Sequence, residues 1–266
     1  MKLIQIMEMA ASQMGKLYLG SGTVITNTPL IINDPAIRMN GGDHLGGTMI
    51  ISDQSYIITN TNIDGTFTLT VPIGTVHSVS LEPGKIYNYS FTDMDRSTLV
   101  NAINTALLSM GEHTTFTDLE VTATQHREFI LPIGIQAPLK IEYFNYVSDG
   151  FVFSATNNWE LTVKDGQNVI TFQNRIVPNE TAKIRVWYNS PHERLLADDD
   201  EINPEYHTTR LVYEAAYWGY FQFLAKEQNS SDRDLLLYQS ILQERTILAN
   251  RYPVPRILHK LTFPRN

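Results

Sequence analysis

The chain has 266 residues, 42% hydrophobic and 18% charged, with 28 acidic side chains against 20 basic ones. A net charge of −8 argues against a general nucleic-acid binder, because neutralising phosphates needs a basic surface. The absence of cysteine excludes disulfides, thiol nucleophiles and Cys-ligated zinc together.

The first predicted element is an amphipathic helix over residues 2–14. It sets Leu3, Ile4, Met7, Ala11 and Met14 on one face, and Gly15 supplies its stop. From Leu19 to Thr92 the texture turns to Gly, Thr and Asn with short alternating runs: Thr48–Ser52, Tyr56–Thr59, Thr66–Val71 and Tyr87–Phe91. Gly20-Ser21-Gly22, Gly41-Gly42 and Gly46-Gly47 read as punctuation, and Asp64-Gly65 as a tight hairpin. The segment is expected to be a small β lobe with long loops.

A second helix follows, capped by Asp95. Its apolar face is Leu99, Ala102, Ile103, Ala106, Leu107 and Met110, and Gly111 sits at the position after its C-cap. Residues 115–190 alternate again, with strands expected at Leu119–Thr124, Glu128–Leu131, Lys140–Tyr146, Trp159–Val163, Asn168–Phe172 and Ala182–Tyr188. Asp149-Gly150, Asp165-Gly166 and Pro178-Asn179 mark the turns, so an antiparallel sandwich or barrel is expected.

Two helices close the pattern. Asn203, Pro204 and Glu205 signal the start of the third, and the preceding acids Asp198-Asp199-Asp200-Glu201 read as charge suited to a helix N-terminus. Leu211, Ala215, Ala216, Trp218, Phe221, Phe223 and Leu224 make this helix apolar on most sides, so it is expected to be central. Ser231 to Asp234 form a capping-box pattern for the fourth helix, expected to bury Leu235, Tyr238, Leu242 and Ala249. Residues 251–266 carry three prolines and no acid. They are expected to be an extended docking tail contacting a partner through Arg251, Tyr252, Pro253, Arg256, Leu258, Lys260, Phe263 and Arg265.

The expected fold is α+β. Residues 1–18, 95–111 and 203–250 form a helical core of four helices, 19–94 and 112–192 are inserted antiparallel β modules, and 251–266 is the tail. No segment has the ~20 apolar residues of a membrane span, since Glu214 interrupts the greasiest stretch. The N-terminus lacks a secretory pattern, because Gln5 and Glu8 break its apolar run. No cofactor or metal is expected. The acid run lacks the alternate spacing of a Ca²⁺ loop, and the seven histidines form no helical i, i+4 pair. His192 and His207 are expected at most to fix the connection between them. No nucleophile elbow or phosphate-binding loop occurs, so an enzyme is not expected.

The order of these elements resembles the head-to-tail connector (adaptor) proteins of tailed bacteriophages. The likeness rests on Arg96 to Gly111 as a helix ending in Gly, Arg127-Glu-Phe-Ile-Leu-Pro as a first strand pair, and Trp159. It also rests on Arg185-Val-Trp-Tyr-Asn-Ser-Pro-His before the acids and the Ala-containing helix, and on Asp64 to Leu69 before Tyr87 as an extra β lobe. The resemblance implies a virion structural protein at the neck, assembled in a host cytoplasm. It implies a homo-oligomeric ring of twelve copies joining the portal protein to the next neck or tail protein, with DNA passing through the channel unbound. The residue pattern leaves open a decoration, tail-terminator or baseplate protein, and less favourably a carbohydrate-binding protein.

Overall fold

A computed structural model describes residues 1–73, 75–121, 127–147, 150–173, 183–202, 207–226 and 231–253, the side chains of 144–154 and 226 excepted. The chain is α+β and divides into two compact units, Met1–Gly111 with Glu193–Pro255, and Glu112–His192. The first β module and the helices thus share one unit, and the second β module is a unit of its own.

In the first unit, α1 (Leu3–Gln13), α2 (Arg96–Ser109), α3 (Thr208–Lys226) and α4 (Asp232–Arg251) build the helical layer. The α1 and α2 faces are buried as their spacing predicts: Leu3, Ile4, Met7, Ala11 and Met14 on one, Leu99, Ala102, Ile103, Ala106 and Leu107 on the other. The Asp95 carboxylate accepts the Thr98 N–H at 2.8 Å, and Gly111 takes a φ of 88° beyond the Met110 cap. Central α3 packs against all three other helices through Leu211, Val212, Ala215, Ala216 and Tyr220. Its C-terminal half is more open than expected, with Phe221 about half exposed.

The α4 face differs from the sequence expectation. Ile241 and Leu248 are buried and Leu237 and Tyr238 pack beside them, while Leu235 and Leu242 face solvent. Polar anchors fix this rotation. Tyr220 donates to Asp234 at 2.6 Å, and Arg245 donates to buried Glu214 at 2.7 Å while lying over the Tyr217 ring. These anchors lie on the same side of the helix as Ile241, turning the leucines at 235 and 242 outward.

The first β module is a closed six-stranded antiparallel barrel, with the long connections expected from the sequence at 34–47 and 71–85. Its strands are β1 (Tyr18–Asn27), β2 (Leu30–Asn33), β3 (Thr48–Ile51), β4 (Gln54–Thr61), β5 (Thr66–Thr70) and β6 (Ile86–Thr92), in the order β1-β2-β5-β4-β3-β6 with β6 pairing back onto β1. Ile32, Met49, Ile51, Ile58, Phe67 and Phe91 fill the interior. Gly20 and Gly22 stand within β1 rather than ending it. A Cβ at Gly20 would lie 2.4 Å from the Tyr89 ring, and one at Gly22 would lie 2.5 Å from Ile32. Closing so narrow a barrel over an inward tyrosine demands residues without side chains at those points. Tyr89 donates to buried Asp34 at 2.7 Å, and burial, the largest cause, pushes its hydroxyl well above the ordinary tyrosine value.

The second unit is a two-sheet sandwich. One sheet has the order β10-β9-β13-β7, from β7 (His113–Glu120), β9 (Pro138–Val147), β10 (Gly150–Thr156) and β13 (Lys183–Ser190). The other has the order β11-β12-β8, from β8 (Glu128–Ile130), β11 (Trp159–Lys164) and β12 (Gln167–Phe172). Phe129, Ile170 and Phe172 from one sheet and Ile141, Ile184 and Val186 from the other share one core. Asp165 (φ 52°) and Gly166 (φ 75°) form the two-residue hairpin turn expected between β11 and β12. The strand expected at Leu119–Thr124 begins earlier, as His113–Glu120, with residues 122–124 outside the described residues, and β10 is a strand that the sequence pattern does not predict. The Pro178-Asn179 turn lies outside the described residues.

Candidate docking site

The described part of the proposed tail begins as helix. Arg251 is the last residue of α4 and Tyr252 is its C-cap, with Pro253 exposed beyond. The Tyr252 ring stacks on His207 with centroids 3.6 Å apart and planes 15° from parallel. Its carbonyl accepts a hydrogen bond from the Arg210 guanidinium. Arg251 and Tyr252 therefore belong to the folded first unit, because a stacked aromatic and a buried guanidinium fix them there. A free segment starts no earlier than Pro253. Arg256, Leu258, Lys260, Phe263 and Arg265 lie outside the described residues, as do Asn203, Pro204 and Glu205.

The acid run has a structural role that its sequence does not announce. Asp198 is buried and accepts from Ser55 through both N–H (2.6 Å) and hydroxyl (2.9 Å). Arg96 completes the clasp, donating to Asp198 at 2.8 Å and to the Leu196 carbonyl at 2.6 Å. One carboxylate thus ties the 196–200 turn to the barrel and to the start of α2. The Asp200 carboxylate accepts the Leu196 and Ala197 N–H groups, and the Asp198 and Asp200 carbonyls accept the Ile4 and Leu3 N–H groups. The run therefore satisfies the open N-terminus of α1 through its backbone, while the connection to α3 at 203–206 lies outside the described residues. Only the tertiary pairing of two segments far apart in the chain shows this.

His192 and His207 have separate partners. His207 stacks on Tyr252, and His192 has the His113 ring 5.5 Å away.

The outer face of the four-stranded sheet carries an ordered aromatic and charged group. Arg185 lies 3.8 Å over the Phe116 ring and holds Asp118 with two hydrogen bonds of 2.8 and 3.0 Å. Trp187 donates to Glu142 at 2.7 Å, and hydrogen bonds from Lys140, then Trp187, hold the Glu142 carboxyl below the ordinary value. Lys183 and Arg185 outward with Ile184 and Val186 inward is the alternation the sequence predicts. Arg185 with Asp118 and Trp187 with Glu142 pair across strands, and Lys140 joins Glu142 from the same face of β9, so the group is satisfied within the sheet.

An open groove of about 490 Å³ runs along the barrel wall beside α1. Leu19, Ile50 and Ile86 supply its apolar lining, and Glu8, Asp53 and Asn88 are among its polar residues. Sequence patterns give no sign of it, because its residues come from separate elements. Among the described residues, no group of three or more His, Asp and Glu converges as a metal site.

These features define a two-unit α+β protein whose helices and barrel form one body and whose sandwich forms another. No known sequence family and no curated protein matches the chain. Among solved structures, a chain in the neck of an empty gene transfer agent particle aligns at 10% identity over 55% of this chain and 76% of that one, with a TM-score of 0.25. A chain in the virion of a native gene transfer agent particle aligns at 11% identity over 56% and 79%, with a TM-score of 0.26. A TM-score this low defines no common fold.

Proposed function

We propose that this chain is a structural protein of a phage-like virion, acting as a connector at the neck and not as an enzyme. The observation that carries the reading is the order of elements along the chain. A helix, a β module, a helix ending at Gly111, a second β module and two final helices occur in the sequence that the connector resemblance requires. In this reading copies of the chain form a ring of twelve around the DNA channel. The segment from Pro253 onward reaches the portal protein, and the sandwich meets the next neck or tail protein. The net negative charge suits a wall past which DNA slides without adhering.

The test uses purified portal rings of the same phage, mixed with the full chain or with a chain lacking residues 254–266. That cut spares the Tyr252–His207 stack, so the first unit keeps its anchors. Electron microscopy should show full-length protein seated on the portal and the shortened chain absent from it. Equal binding by both sinks the role of the tail. Absence of the protein from purified particles sinks the virion reading itself.

A further inference from the structure

Among the described residues Arg210 is the one buried arginine, 8% exposed. A guanidinium is always charged, and a buried charge is costly unless a counter-charge and hydrogen bonds offset it. Other arginines of this chain show what that offset looks like. Arg96 turns the edge formed by Nε and Nη2 to Asp198, at 3.2 and 2.8 Å. Arg185 turns the same edge to Asp118, at 2.8 and 3.0 Å. Arg245 gives its Nε to Glu214 at 2.7 Å. In each case the planar fork meets a carboxylate, the group whose geometry it matches.

Arg210 is placed differently. Its Nη1 donates to the Tyr252 carbonyl, which carries no net charge. Its Nε is enclosed and has no acceptor. Among the described residues it makes no ion pair, in contrast to Arg96, Arg185 and Arg245. Glu214, the only acid of α3, is held one turn further on by Arg245 and Ser109. Long helical side chains run back toward the N-terminus of their helix. The Tyr252 ring lies on His207, and the His207 Nδ1 accepts the Arg210 N–H at 3.4 Å. The guanidinium therefore sits beside the first turn of α3, where the helix dipole adds positive potential.

We propose that the Nε–Nη2 edge of Arg210, at the N-terminus of α3, is a binding site for a carboxylate. One guanidinium and one helix end balance a single negative charge, which suits a carboxylate better than a phosphate dianion. The same edge of Arg96 and of Arg185 already holds a carboxylate in this fold. The site stands on the local geometry, so its failure leaves the connector reading intact.

The test follows the Nε–H resonance of Arg210 in nitrogen-15-labelled full-length protein, assigned by its loss in Arg210→Gln. Sodium acetate at neutral pH should shift it saturably, while sodium chloride at equal ionic strength leaves it in place. Arg210→Lys keeps the charge without the fork and should bind acetate about tenfold more weakly or worse, read from the acetate-dependent rise in melting temperature. Circular dichroism checks that both variants fold, and either one alone assigns the resonance. A blocked peptide, acetyl-Gly-Glu-Gly-amide, is titrated in parallel. Tighter binding of the peptide identifies an acidic side chain of a protein as the source, and tighter binding of acetate a small carboxylic acid. An unmoved resonance, an equal response to chloride or undiminished binding by Arg210→Lys overturns the site. Inorganic phosphate binding more tightly than both carboxylates overturns the choice of ligand.

Discussion

The barrel and the sandwich are written in nearly the same residues and end up with opposite solutions to the same problem. Both are runs of Thr, Asn, Gly and β-branched residues, and both are wholly antiparallel. The barrel pairs its last strand with its first and leaves no edge. Among the described residues the sandwich keeps four edge strands, β10 and β7 on one sheet and β11 and β8 on the other. Closure requires small residues where the wall bends over the core, and β1 has them at Gly20 and Gly22. The barrel also shares the helical core directly: Ile50 packs among the helix side chains, and Thr48 donates to the Met94 carbonyl at 2.9 Å. A closed wall therefore becomes part of a larger body, while an open sandwich stands as its own unit.

The largest expected effects test that division. Phe67→Ala in the barrel and Phe129→Ala in the sandwich remove fully buried rings, each costing about 3–5 kcal/mol in denaturant titrations. Hydrogen exchange separates them. Phe67→Ala should weaken protection in the barrel and the helices together, whereas Phe129→Ala should weaken only residues 112–192. Helices unaffected by Phe67→Ala would break the single-body description of the first unit.

Next comes the clasp. Asp198→Ala leaves Arg96 without its main partner in a largely desolvated site and should cost about 3 kcal/mol. A thermal melt reads this directly; a wild-type melt would show that the barrel and helices are held by apolar packing alone. Smaller effects compare glycines. Gly20→Ala drives a Cβ toward the Tyr89 ring and should cost about 1–3 kcal/mol. Gly166→Ala meets no atom within 4 Å and strains only a positive φ, so about 1 kcal/mol is expected. The reverse order would mean that barrel closure does not depend on the small wall.

The smallest expected effect is pH dependence at α4. Hydrogen bonds from Ser231, then Tyr220, lower the Asp234 carboxyl from 3.8 to about 2 in the folded chain. A lowered folded value means the contribution is complete above the ordinary value and is lost as pH falls toward about 2. Asp234→Asn should flatten the stability curve between about pH 4 and 2 and leave its slope near neutrality unchanged. An unaltered acid limb would remove Asp234 from the account.

Local rules make much of this chain legible in its residues alone. The α1 and α2 stripes, the Asp95 and Ser231 caps, the stop at Gly111, the Asp165-Gly166 hairpin and the alternation of Lys183 to Val186 all depend on neighbours within a few residues. Helical period, capping and turn chemistry are fixed at that range. Docking is less legible. The basic tail is a matter of composition, and the stacking of Tyr252 on His207 that fixes its start appears only in the folded chain.

What the tertiary structure alone decided depends on pairings far apart in the chain. Strand β6 closing on β1 turns punctuating glycines into wall residues. Ser55 and Arg96 meeting Asp198 give one acid of the run a clasp that its spacing does not announce. Tyr220 and Glu214 holding α4 turn Leu235 and Leu242 outward, although their spacing alone allows a buried face. Sequence spacing sets which residues share a face of an element, but the partner that covers the face is selected by the whole fold.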